Sequence, residues 1–186
     1  MKNQKVVLAY SGGLDTSYCV KYLSQERGLD VYTVLVDTGG FEEDELKSIG
    51  EKSLLMGAKQ HEVIDATQQY YNECIKYLVF GNVLKYSTYP LSVSSERVFQ
   101  AKMIAAKAKE LNADYVAHGS TGAGNDQVRF DLIFRILIPE IPIITPIRDL
   151  KLSRQDEIDY LKKHHVKLDW EKAKYSINKG IWGTSV

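Results

Sequence analysis

Residues 5–17, KVVLAYSGGLDTS, restrict the fold of this chain more than any other stretch. The apolar run 5–10 has strand character, breaks into Ser11-Gly12-Gly13, and Leu14-Asp15-Thr16-Ser17 then opens a helix. A strand, a glycine turn and a helix start in that order aim several free backbone N–H groups at one concave point. The helix N-terminus adds roughly half a positive charge there, so the point attracts phosphate. The hydroxyls of Ser11, Thr16 and Ser17 are further donors. The segment is not a Walker loop: Asp15 stands where the lysine that reaches the β- and γ-phosphates would be, and no lysine follows until Lys21. Nor is it a G-x-G-x-x-G turn, because Gly12 and Gly13 are adjacent and no third glycine follows. Taken alone, it is either a phosphate cradle or a tight strand-to-helix turn capped by small polar residues.

The alternation continues. A helix over 14–27 is stopped by Gly28, and the β-branched run 31–36 is a strand leading to the turn Asp37-Thr38-Gly39-Gly40. Residues 42–56 form a helix with an acidic first turn, ended by Gly57. A third strand covers 60–64, and Asp65 or Thr67 caps a helix reaching about Phe80. Residues 81–94 are irregular. A long helix is expected from Ser95, with Val98, Ala101, Ala105 and Ala108 on one face. A buried strand over 114–117 leads into a second small-residue loop, 118–124, and a helix beginning near Asn125. Residues 142–145 make a last short strand, and Ser153 with Asp156 forms a capping box for a helix ending near His165. Successive strand–helix units with buried strands imply an α/β fold: a mostly parallel, twisted sheet with helices on both faces. Ligands bind such sheets at the carboxyl edge, near the topological switch point. The loops after strands one and four both fall on that edge and face one site.

Composition narrows the function. At 186 residues the chain forms one domain with a substantial core, with room for a small appendage. The 24 basic and 24 acidic residues cancel and no long run of one sign appears, which argues against a nucleic-acid or membrane-surface binder. No stretch approaches the length of an apolar span, and the first four residues lead straight into a strand, so neither a membrane helix nor a signal peptide is expected. Cys19 and Cys74 fit no metal-ligand or C-x-x-C spacing, as in a reducing cytoplasm. The four histidines form no metal-binding cluster.

Three further segments carry polar groups suited to ligands. In GSTGAGNDQVR, residues 119–129, the glycines let the backbone approach a ligand closely. Arg129 offers a planar fork to a carboxylate or phosphate, and Asp126 accepts from a cationic amine, a combination that suits a zwitterion. The plain alternative is a helix capped by Asn125 or Asp126, with Arg129 in a surface ion pair. Around Tyr89-Pro90-Leu91 the residues describe a proline-stiffened loop entering a helix that Ser94 or Ser95 caps. Near the end, Tyr175-Ser176 and Thr184-Ser185 lie in YSINKGIWGTS. Trp170 and Trp182 are assigned to packing, as is Cys19.

The first loop resembles the pyrophosphate-binding loop (PP-loop) of the ATP pyrophosphatase superfamily, S-G-G-x-D-[ST]-S. The longer string AYSGGLDTS resembles the argininosuccinate synthase family in particular. Residues 119–131 are similar to that family's G-x-T-G-K-G-N-D-Q-V-R-F-E, with Ala123 in place of Lys and Asp131 in place of Glu. Tyr89-Pro90-Leu91 with Ser94 and Arg97 resembles its Y-P-L-x-x-S-x-x-R. The terminal segment resembles Y-S-x-D-x-N-L-W-G-x-S, with Asn178 for Asp and Gly180 for Asn. PIITPIRD, residues 142–149, resembles a strand and P-W-R-[DE] turn with Ile147 for Trp.

The resemblance implies an adenine nucleotide alpha hydrolase-like (PP-loop ATPase) fold. It also implies the cytoplasmic ligation of citrulline and aspartate in arginine biosynthesis: ATP activates citrulline as citrullyl-AMP, with release of pyrophosphate and then AMP. By resemblance, ATP meets Ala9, Tyr10, Ser11, Gly12, Gly13, Leu14, Asp15, Thr16, Ser17, Val36 and Gly119, with Mg²⁺ on its phosphates. Aspartate meets Thr121, Asn125 and Asp126, and citrulline meets Tyr89, Ser94, Asn125, Arg129, Ser176 and Ser185. No general base and no protein-held metal are assigned, and the whole enzyme is expected to be a homotetramer. The family is about twice as long, so residues 1–165 correspond to its ATP-binding domain and 166–186 to the start of its substrate domain. On that reading the chain binds ATP but has little activity alone. Two rivals stand beside it. One is another PP-loop enzyme: tRNA thiolation, which wants reactive cysteines and a basic surface, or amidation, which has no need of the 121–129 loop. The other is a non-catalytic nucleotide-binding module.

Overall fold

The computed structural model describes residues 3–166 and 178–185. Its elements, in chain order, are β1 (Lys5–Ala9), α1 (Leu14–Gln25), β2 (Asp30–Asp37), α2 (Glu43–Met56), β3 (Gln60–Asp65) and α3 (Thr67–Tyr70). A π-helical turn, Tyr71–Ile75, joins α3 to α4 (Lys76–Phe80). Then come α5 (Ser92–Glu110), β4 (Tyr115–Ala117), α6 (Asp126–Leu137), β5 (Ile143–Ile144), α7 (Pro146–Asp149), α8 (Arg154–Lys163), β6 (Asn178–Gly180) and β7 (Gly183–Ser185).

Strands β3-β2-β1-β4-β5 form one sheet in that order, every pair parallel. The order reverses between β1 and β4, which opens a crevice at their carboxyl ends. Alternation along β1 divides its side chains between two cores, because successive strand residues face opposite sides. Val6 and Leu8 pack with Tyr18, Leu23, Ile147 and Leu161 on the face covered by α1, α7 and α8. Val7 packs with Tyr70, Phe99, Ile104 and Phe134 on the other. Burial on both faces is why β1 and β2 have the near-continuous apolar sequences of a parallel sheet.

Local signals set most boundaries. Glu42 and Glu45 form a reciprocal capping box at the start of α2, and Gly57 ends it in the left-handed region, φ +110°. Asp65 is the residue that satisfies α3, accepting from the Thr67 N–H at 3.0 Å. The Ser153–Asp156 box opens α8 as expected.

The long helix α5 departs from expectation. It begins at Ser92, three residues early, and neither Ser94 nor Ser95 caps it. Leu91 holds the cap position in a left-handed conformation, φ +55°. Ser94 Oγ turns back to the Leu91 carbonyl at 3.2 Å, and Ser95 Oγ to that of Ser92 at 3.1 Å. The Tyr89 phenol oxygen takes the capping role instead, accepting from the Ser94 N–H at 3.2 Å. Val98 is 39% exposed, at the margin of the buried stripe that Ala101, Ala105 and Ala108 share with Phe99 and Ile104.

The antiparallel hairpin β6–β7 folds back onto the loop after β2. The Ile181 N–H donates to the Thr38 carbonyl at 2.9 Å, and Trp182 Nε1 donates to that of Pro90 at 2.7 Å. A Cβ on Gly40 would lie 2.2 Å from the Lys179 carbonyl oxygen, so the hairpin reaches this position only because Gly40 is there. Among the described residues no helix is long and apolar enough to cross a membrane.

Candidate active site

The turn after β1 is open toward the crevice. Gly12 has φ +76°, and Gly13, at the cap position of α1, is extended with no side chain capping the helix. The first N–H groups of α1 therefore face the cavity without an internal cap. Ser11 Oγ and Thr16 Oγ1 stand 3.3 Å apart at the mouth of the turn. Ser17 behaves differently from the expectation: it is fully buried, and its hydroxyl donates to the Gly13 carbonyl at 2.7 Å, bracing the turn from behind.

The second loop leaves β4 through His118, which is 1% exposed. His118 Nδ1 accepts from the Ser120 N–H at 3.2 Å, so the ring proton sits on Nε2, which donates to Asp131 at 2.9 Å. Asp131 also accepts from Arg148 at 2.9 Å, and Arg148 reaches Gln127 at 3.0 Å. The His118 hydrogen bond, reinforced by Arg148, holds the Asp131 carboxyl down at about 2. This network fixes the root of the loop and leaves its tip open. Gly119 is where the two loops touch: a Cβ there would meet Thr16 at 3.2 Å and the Asp15 backbone at 3.3 Å.

At the tip, Thr121 and Asn125 are exposed, and Asn125 makes no capping bond although it precedes α6. Asp126 lies between two arginines, accepting from Arg97 Nε at 3.0 Å and from Arg129 Nη1 at 2.5 Å. Arg97 Nη1 continues to Gln100 at 2.7 Å, and Gln100 Nε2 reaches the carbonyl of Val36 at 3.4 Å. Beside it Glu96, 5% exposed, accepts from Thr38 Oγ1 at 2.6 Å. Burial nevertheless raises its carboxyl above the ordinary range.

These segments enclose one cavity of about 700 Å³. Its wall includes residues 9–16, Val36, Gly119, Thr121, Asn125, Asp126 and Arg129, so most of the expected ATP residues, all three aspartate residues and two of the citrulline residues, Asn125 and Arg129, share one space. Ser17, Tyr89 and Ser94 are not in that wall. Ser176 lies outside the described residues, as does the side chain of Ser185. Glu96, Gln100, Arg154 and Lys179 also line the cavity, though sequence reasoning gave none of them a role. The one available signal was Glu96, a carboxylate within a helix whose neighbouring turns carry a buried alanine stripe. Arg97, Arg129, Arg154 and Lys179 with the N-terminus of α1 suit an anionic ligand, and the volume is that of a small-molecule site.

A parallel sheet with a glycine turn and a second loop meeting at its switch point defines a HUP-type, Rossmann-like nucleotide-binding domain of the kind found in PP-loop ATPases. Residues 5–167 match the family model described as the arginosuccinate synthase N-terminal HUP domain, and the chain belongs to that family. It is 43% identical over 186 residues to the argininosuccinate synthase of Pyrobaculum aerophilum, covering all of this chain and 46% of the relative. With that of Methanocaldococcus jannaschii the identity is 44% over 180 residues, 97% of this chain and 45% of the relative. For Dictyoglomus thermophilum it is 42% over 188 residues, the whole chain and 47% of the relative. The chain thus spans about half the length of the curated relatives it matches.

Proposed function

We propose that this chain supplies the ATP-binding domain of an argininosuccinate synthase, residues 1–165, with 166–186 beginning its substrate domain. The observation that carries this is the single cavity in which the phosphate turn and the 119–129 loop face each other. The adenine lies against Val36, the β- and γ-phosphates against Ser11–Thr16, aspartate against Thr121, Asn125 and Asp126, and citrulline near Arg129. Tyr89 and Ser94 act on citrulline through the shape of the loop that leads into α5. A turn that grips the terminal diphosphate leaves the α-phosphorus open to the citrulline ureido oxygen and makes pyrophosphate the stabilised leaving group. Positioning and charge neutralisation then do most of the work, and no general base is assigned.

Among the described residues no group of three or more His, Cys, Asp and Glu side chains could hold a metal. Mg²⁺ of the kind that travels with nucleotide phosphates needs only one or two carboxylates, and Asp15 in the turn is placed to serve. When bound, the ion would neutralise phosphate charge. The whole enzyme is proposed to be a cytoplasmic homotetramer.

Titration calorimetry with ATP, citrulline and aspartate tests the reading, using the chain and its Asn125→Ala variant. Loss of citrulline or aspartate binding with ATP binding kept supports the synthase. No effect on any ligand favours a non-catalytic nucleotide module. Pyrophosphate release by the chain alone is expected to be low.

A further inference from the structure

The phosphate turn lacks a Walker lysine in sequence, yet the fold brings a lysine to it from α2. Lys52 Nζ donates to the carbonyl oxygen of Gly12 at 2.5 Å. Ile49, one turn earlier on α2, is the residue a Cβ at Gly12 would strike, at 2.9 Å, so α2 lies directly against the turn. A trans peptide holds its C=O and N–H in opposite directions, and the chain contains no cis peptide among its described residues. With the Gly12 oxygen drawn toward α2, the Gly13 N–H of the same peptide points the other way. That is the side of Ser11 Oγ, 3.4 Å from it, and both residues line the cavity.

Lys52 is half-buried, and among the described residues it makes no ion pair with a carboxylate. Burial without a counter-charge pulls its ammonium below the usual lysine range. A desolvated, unpaired cation is costly to keep unless an anion offsets it. The cradle lies on the other side of the Gly12–Gly13 peptide from this cation.

We propose that Lys52 is the positioning cation of the phosphate turn: it locks the Gly12–Gly13 peptide with its N–H toward the cavity, places an unshared positive charge behind it, and so makes the site select di- and triphosphates over monophosphates. It acts through the Gly12 backbone rather than by touching the ligand. The proposal rests on the ATP-binding reading above.

The test is titration calorimetry of the 186-residue chain with ATP, pyrophosphate and AMP, with thermal melts of each variant. Lys52→Met is expected to weaken ATP and pyrophosphate about tenfold or more, the scale of one charge-assisted hydrogen bond, while AMP moves less than about twofold. Lys52→Arg restores most of the loss. Lys52→Gln, which keeps a donor to Gly12 without the charge, is expected to fall between the two and carries the test if the Met variant does not fold. Equal weakening of ATP and AMP, or unchanged ATP affinity in the Met or Gln variant, overturns the proposal. Failure of the unsubstituted chain to bind ATP removes the functional reading and this proposal with it; ATP binding indifferent to Lys52 removes this proposal only.

Discussion

Glu157 projects from α8 with 1% of its surface exposed, and its Oε2 has no hydrogen-bond partner among the described residues. Burial first, and then the charge of Asp15 in the phosphate turn, push its carboxyl up to about 8 from an ordinary 4.5. The sign follows from linkage. Between those two values the folded protein holds a proton that the unfolded chain has released. The resulting stability is fully present below 4.5 and is lost as pH rises through about 8. The slope is about 1.4 kcal/mol per pH unit, so raising the pH from about 5.5 to about 7.5 removes about 2.7 kcal/mol through this group. Gln copies the shape of the neutral acid and cannot ionise. Glu157→Gln is therefore expected to match the parent only below about pH 4, to exceed its stability by about 1 kcal/mol near pH 5.5 and by about 4 kcal/mol near pH 7.5. Urea unfolding followed by circular dichroism at three pH values measures the difference. Stability profiles that run parallel for the two proteins would refute the assignment of a buried neutral acid beneath the turn.

Two other substitutions probe the site directly. Gly12→Ala must place a side chain at φ +76° and 2.9 Å from Ile49, and is expected to cost about 1–3 kcal/mol and most of the ATP affinity. Gly28→Ala, at φ +62° with nothing within 4 Å, should cost only about 1 kcal/mol and leave ATP binding intact; similar losses at both positions would contradict the packing argument. Asp131→Asn removes a carboxylate held at about 2 chiefly by His118, with Arg148 adding to it, and should lower stability near pH 7 by about 2 kcal/mol. Because that pKa is depressed, the difference is present above 3.8 and fades as pH falls toward about 2; urea titrations showing it unchanged at about pH 3 would sink the ion-pair account.

What the sequence disclosed was whatever local chemistry determines. The turn 11–17 was legible because strand periodicity, adjacent glycines and a helix start all fall within a few residues, and the parallel sheet followed from repeating that unit. The ends of α2 and the start of α8 were legible for the same reason, since their caps lie three residues apart or closer. The start of α5 was not, because the group that serves it is the phenol of Tyr89, carried there by a loop with left-handed Tyr86, Ser87 and Leu91. The inward turn of the Ser17 hydroxyl was not legible although its partner is local: a serine in a first helical turn readily bonds the carbonyl four residues back, and this one does. Glu96 and Lys52 were invisible as site residues because their partners, Thr38 and Gly12, are 58 and 40 residues away. The hairpin that contributes Lys179 was not expected as structure at all.

The first three turns of α5 do more than enclose the cavity. Glu96 holds Thr38, whose carbonyl receives the hairpin, and Gln100 reaches Val36, so one stretch of helix fastens the loop after β2. Arg97, between them in sequence, fastens the opposite wall by its bond to Asp126 at the head of α6. The wall at Val36 and the wall at the 119–129 loop are therefore tied by a continuous run of hydrogen bonds: Val36 to Gln100 to Arg97 to Asp126 to Arg129. Asp126 already satisfies two guanidinium groups, and a ligand ammonium arriving there competes with Arg97 or Arg129 for the same two oxygens. Displacing Arg97 would loosen its bond to Gln100, and through Gln100 the carbonyl of Val36. If the proposed placement of amino acid and adenine holds, this run is a physical route by which filling the one would be felt at the other, with no movement of the sheet required.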